Sequence, residues 1–177
     1  LLTLTDTQAT KAAIAAAFRD HLGRATASDT VLFYFSGHGA QEEADRTLWA
    51  GEDDGLLECL VCHDGEAENP WDYLLADKEL RYLIRKLSET GAHVVTMFDC
   101  CHAGDNTRQF DLLSAAFEGT VDERRLSQKG PRRPYEGFLF ASELAEEHLR
   151  VGGIETLLPE GTHIQLAACE SDESALE

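Results

Sequence analysis

The chain has 177 residues, 43% of them hydrophobic, which is enough for one domain with a real core and too few for two. A formal net charge of −18 and a pI near 4.6 argue against nucleic acid as a partner, because phosphate contacts need clustered Lys and Arg. No run is long and apolar enough to cross a bilayer. The acidic balance suits a cationic substrate drawn to an acidic cleft, although most of it serves solubility. Leu1-Leu2-Thr3-Leu4-Thr5-Asp6 lacks the basic start of a signal peptide. The five cysteines are odd in number and follow no framework spacing, which points to a reducing, cytoplasmic compartment rather than a disulfide scaffold.

In chain order, Leu1–Asp6 reads as the tail of a strand. Asp6 or Thr7 then caps a helix over Gln8–Leu22, ended by Gly23. Val31–Phe35 is apolar and β-branched or aromatic, as expected of a strand buried on both faces. Strand, helix, strand makes a βαβ unit with a parallel sheet. Gly39–Gly55 is polar and acidic and reads as a loop on the active-site side, and Leu56–His63 as a short edge strand or hairpin. Ala76-Asp77 caps a helix over Lys78–Thr90, whose Leu80, Leu83, Ile84 and Leu87 keep helical spacing. Gly91 ends that helix, and a second buried strand, Val94–Phe98, follows. Beyond it the pattern predicts a short helix over Phe110–Phe117 and a basic loop insertion over Glu118–Gly137. A helix over Phe138–Val151 and a last buried strand over His163–Cys169 complete the single domain, 1–177.

The chemistry gathers at the ends of the two buried strands. Val31–Phe35 runs into Ser36-Gly37-His38-Gly39, and Val94–Phe98 runs into Asp99-Cys100-Cys101-His102-Ala103-Gly104. In open α/β sheets ligands and catalytic groups sit at the carboxyl ends of the strands. Neighbouring parallel strands lie about 4.8 Å apart, so an imidazole and a thiol delivered this way converge. Glycines on both sides of His38 leave the ring uncovered. Alternation turns Cys100 inward as an inert hydrophobe and leaves Cys101 on the side of Asp99, where His38 lowers a thiol pKa that starts near 8.5. His102 is read as a structural or loop residue because its side chain points away from Cys101.

Cys59-Leu60-Val61-Cys62-His63 matches the haem-attachment spacing C-x-x-C-H, but that chemistry needs an exported, haem-enclosing helical chain. Zinc held by Cys59, Cys62 and Cys100 or Cys101 ranks above haem, yet no second ligand pair has finger-like spacing. No metal or cofactor is therefore assigned.

The pair Ser36-Gly37-His38-Gly39 and Asp99-Cys100-Cys101-His102-Ala103-Gly104 resembles the hallmark motifs S-G-H-G and D-x-C-H-S-G of caspase-like cysteine peptidases. The closer likeness is to metacaspases and bacterial orthocaspases, with Ala103 in place of Ser. Leu75-Ala76-Asp77-Lys78-Glu79-Leu80 and Leu166-Ala167-Ala168-Cys169 are similar to the family's helix start and late strand. The resemblance implies an α/β fold, a caspase-like three-layer sandwich with a mostly parallel central sheet flanked by helices. It implies Cys101 as nucleophile, His38 as proton carrier, and the N–H groups of Gly39 and Cys101 as oxyanion donors. It also implies an S1 pocket lined by Asp99 and Ser36, hence cleavage after Arg or Lys rather than Asp; the chain has no Q-A-C-R-G motif. Arg124, Arg125, Lys129, Arg132 and Arg133 suit such a pocket and form a candidate self-cleavage segment. Many members bind calcium through acids of the middle loop. Asp53, Asp54 and Asp77 answer to these, but Lys78 stands where a second acid is often found. The family's first strand and helix, and its C-terminal part, are expected outside this chain, which reads as a module of a larger regulated protein with an activator or regulatory partner. A catalytically silent scaffold module with the same fold is the alternative.

Overall fold

The computed structural model describes residues 1–63, 67–100, 131–144, 158 and 161–167. Its elements are α1 (Lys11–Asp20), β1 (Thr30–Ser36), β2 (Gly39–Glu43), β3 (Leu56–Val61), β4 (Leu74–Ala76), α2 (Asp77–Ser88), β5 (His93–Asp99) and β6 (Ile164–Ala167). The expected helix over Phe110–Phe117, most of the basic loop and half of the helix over Phe138–Val151 lie outside the described residues; 141–144 is helical.

One sheet has the order β1-β5-β6 and is parallel throughout, in the register Ser36↔Asp99 and Phe98↔Ala167. Burial along β1 and β5 alternates, so these strands are not covered on both faces as their composition suggested. Val31, Val94, Thr96 and Phe98 are buried with Ile14 and Phe18 of α1 and Leu80, Ile84 and Leu87 of α2. Phe33 links the layers, its ring 4.8 Å from Phe18 and 6.0 Å from Phe98 between centroids. The opposite face carries Leu32, Tyr34, Met97, Ile164 and Leu166 exposed. The last strand was expected to be buried. It is exposed because Ile164 and Leu166 point to that face, in line with Val95 and Met97.

The second sheet, β2-β3-β4, is antiparallel. Its first strand, Gly39–Glu43, departs from the polar loop that the composition predicts. Its charges are absorbed because Glu42, fully buried, meets an arginine, and Gln41 donates to Glu58 at 2.8 Å. β3 is therefore the middle strand and not an edge, with Leu57, Cys59 and Leu60 buried. Helix α2 packs against β3, β4 and β5 and so joins the two sheets.

The helix ends also differ from expectation. Asp6–Gln8 form a single 3₁₀ turn, and no strand precedes them among the described residues. Thr10 is the cap of α1, its Oγ1 accepting the Ala13 N–H at 3.1 Å. Helix α2 starts one residue early, at Asp77, because Glu79 folds back and accepts the Ala76 N–H at 3.0 Å. It is closed by Gly91, whose φ of +80° a side chain rarely adopts. No helix among the described residues is long and apolar enough to cross a membrane.

Candidate active site

Strands β1 and β5 end side by side. The Gly37 N–H donates to the Asp99 carbonyl at 3.2 Å, and Ser36 Oγ donates to Asp99 Oδ2 at 3.2 Å. The in-register parallel pairing places both side chains on the same face, so a hydroxyl and a carboxylate share one strand-end position. Ser36 is exposed and Asp99 half-buried. His38 follows two residues after Ser36 and is also exposed.

The backbone at His38 is fixed by the second sheet. Its carbonyl accepts the Val61 N–H at 3.0 Å. That contact makes 38 and 61 a hydrogen-bonded position of the antiparallel ladder, so at the next pair, Gly39↔Leu60, the Gly39 N–H turns away from β3. His38 and Gly39 thus follow the Ser36–Asp99 pair at the point where the chain leaves the parallel sheet for the antiparallel one. Cys100 is fully buried in the core, as alternation along β5 requires. Cys101 and His102 lie outside the described residues.

The cysteine-rich stretch of β3 sits elsewhere. Cys59 and Cys62 are buried thiols, and burial raises the Cys59 pKa well above the usual thiol value. His63 is exposed, and its N–H is bonded to the Ala9 carbonyl at 2.9 Å.

Residues 3–109 match the family described as metacaspase, peptidase C14 domain. The chain belongs to the metacaspase family. Metacaspase III c of Phaeodactylum tricornutum is 34% identical over 102 residues, 55% of this chain and 27% of that protein. Metacaspase-1 of Plasmodium falciparum is 35% identical over 79 residues, 44% of this chain and 12% of that protein. Metacaspase-1 of Yarrowia lipolytica is 32% identical over 77 residues, again 44% of this chain and 15% of that protein. This metacaspase chain therefore spans a minor part of the length of these relatives. A solved protein of Geobacter sulfurreducens superposes with a TM-score of 0.55 at 19% identity, over 98% of this chain and 58% of that one. At that identity the likeness speaks for the fold alone, a caspase-like α/β sandwich.

Of the basic residues considered for self-cleavage, Arg124, Arg125 and Lys129 lie outside the described residues. Arg132 is exposed, 3.8 Å from Asp45. Arg133 differs. Its side chain is wholly buried, with Nε 2.9 Å from Glu42, Nη1 2.6 Å from Glu79 and Nη2 donating to the Leu74 carbonyl at 2.7 Å. Its guanidinium lies 5.0 Å from the Phe138 ring centre. Gly137 leaves room for its stem, since a Cβ there would sit 2.9 Å from Arg133 Cγ. In this fold Arg133 is not presented to any cleft, and its role is to fasten the end of the basic loop to β2, β4 and α2.

Sequence reasoning also missed the partners of this arginine. Lys11 of α1 pairs with Glu79 at 2.8 Å and donates to the Trp71 carbonyl at 2.7 Å, so Lys11, Glu42, Glu79 and Arg133 form one buried ionisable cluster. The available signal was the charged run Asp77-Lys78-Glu79 directly after the apolar Leu74-Leu75-Ala76. Charges that abut a buried strand need internal partners.

Proposed function

We propose that this metacaspase segment carries the catalytic centre of a cysteine endopeptidase that cleaves after Arg or Lys. The observation that carries this reading is the Ser36–Asp99 pair at the ends of two parallel strands, with His38 exposed beside it and Cys101 two residues further along the chain.

The chemistry follows from the residue types. His38 takes the proton of Cys101, and the thiolate attacks the scissile carbonyl. The oxyanion that forms is met by the Gly39 N–H, turned away from its ladder, and by the Cys101 N–H. His38 then protonates the departing amine, leaving a thioester that water hydrolyses with His38 as base. Asp99, oriented by the Ser36 hydroxyl, is the carboxylate that would meet a guanidinium or ammonium. An acidic P1 side chain meets a carboxylate of its own sign and is rejected. The net charge of −18 favours encounter with basic segments. The substrates are proteins or peptides, and an activator or regulatory domain belongs to the same reading because the family members are much longer.

The test is an assay of Arg-ended, Lys-ended and Asp-ended fluorogenic peptides on the chain and on Cys101→Ala. Cleavage of the basic peptides alone, abolished by Cys101→Ala, supports the reading. Activity that survives the substitution, or a preference for Asp, rejects it. An intact fold with no turnover of any peptide favours the scaffold alternative.

A further inference from the structure

The carboxylates that the family resemblance assigns to calcium do not fit such an ion here. Asp53 and Asp54 are exposed, and Asp54 Oδ1 accepts the Leu56 N–H at 2.9 Å, closing its own turn. Asp53 uses its backbone carbonyl to hold Arg46 at 3.2 Å. Among the described residues no three His, Cys, Asp or Glu side chains converge to hold a metal. Calcium needs six to eight oxygens at about 2.3–2.6 Å.

A cation of the chain's own lies between the acids instead. Lys78, in the first turn of α2, donates from Nζ to Asp77 Oδ2 at 2.8 Å and to Glu52 Oε1. Its side chain is 3% exposed, and its ammonium lies 5.5 Å from the Trp49 ring centre. Glu52 and Trp49 belong to the connection between β2 and β3, whereas Asp77 and Lys78 begin α2. One ammonium thus neutralises two carboxylates from separate parts of the chain and ties that connection to the helix.

We infer that Lys78 is an internal counterion standing where a divalent cation would otherwise bridge the β2–β3 connection and α2, so that this chain folds without calcium. A tethered ammonium competes at a local concentration that a free ion does not reach. Removing it leaves Asp77 Oδ2 and Glu52 facing each other beside Asp77 Oδ1, a buried acceptor with no hydrogen-bond partner among the described residues. Those two carboxylates would supply the anionic part of a divalent ion's shell, with waters completing it.

The experiment is thermal unfolding of the chain, of Lys78→Ala and of Lys78→Gln, each in chelator and in saturating calcium chloride or magnesium chloride. It reads unfolding and not peptide cleavage, so it stands or falls apart from the peptidase reading. The inference expects no calcium shift for the wild-type chain. It expects a lower midpoint for the variants in chelator, with a saturable rise of several degrees in calcium. A saturable calcium shift of the wild-type chain, lost in Asp77→Asn, overturns it. So do folded variants that calcium leaves unmoved. Should neither variant fold in chelator, their recovery on refolding in calcium supports the inference, and failure to recover overturns it.

Discussion

The hydroxyl of Ser36 and the carboxylate of Asp99 meet at 3.2 Å across two parallel strands whose last residues are in register. The hydrogen bond orients the carboxylate at the strand ends. Under the proposed specificity, Asp99→Asn lowers kcat/KM for Arg-ended peptides by about 10²–10³, the loss expected when one partner of a desolvated charge pair is neutralised. Ser36→Ala removes a single neutral donor and costs about tenfold or less. Steady-state kinetics on matched peptides with Arg and with norleucine at P1 check both. The norleucine peptide should be nearly indifferent to Asp99→Asn.

Arg133 and Glu79 are buried partners at 2.6 Å, and Glu42 shares the guanidinium. Arg133→Met leaves two carboxylates in the core with only Lys11 to balance them, so the chain should lose about 3–5 kcal/mol by denaturant unfolding. Arg132→Met, on an exposed arginine 3.8 Å from Asp45, should stay within about 0.5 kcal/mol of the wild type. The contrast between adjacent arginines separates a structural fastening from a surface charge.

Burial raises the Glu42 carboxyl to about 7 from an ordinary 4.5, against the opposing pull of Arg133. With the folded pKa above the unfolded one, the folded chain keeps a proton that the unfolded chain has released. This group's contribution is therefore greatest below about pH 4.5 and is lost as pH rises through about 7, by up to about 3 kcal/mol. Urea midpoints at about pH 5 and about pH 8 should differ more for the wild type than for Glu42→Gln, which cannot ionise.

Thr10, and not Asp6 or Thr7, caps α1. Thr10→Ala should cost about 1 kcal/mol, whereas Thr7→Ala should change stability little. Thermal or urea unfolding distinguishes the two.

The parallel pairing of the two motif-bearing strands was legible because Val31–Phe35 and Val94–Phe98 are short, apolar and each followed by polar strand-end residues. Cys100 was assigned to the core from alternation alone, and it is buried there. The antiparallel sheet was legible only in part. Gly39–Glu43 carries Gln41, Glu42 and Glu43, and no local pattern shows that Glu42 will find Arg133, which is 91 residues away in the chain. Arg133 was grouped with its basic neighbours for the same reason, since composition cannot tell a solvated arginine from one enclosed by two glutamates. Lys78 stands out in the sequence where an acid is expected, but Glu52, which completes its setting, lies 26 residues upstream in a polar stretch. Periodicity reports which face is apolar; it does not report which distant charge will be its partner.

The central claim concerns one sulfur and one specificity. Treating the chain with an Arg-based covalent peptide inhibitor and mapping the modified residue by mass spectrometry tests both together. The account predicts a single adduct on Cys101, absent from Cys101→Ala, slowed in His38→Ala and much weaker with an Asp-based inhibitor. Labelling of any other cysteine, or equal labelling by the Asp-based compound, would contradict it.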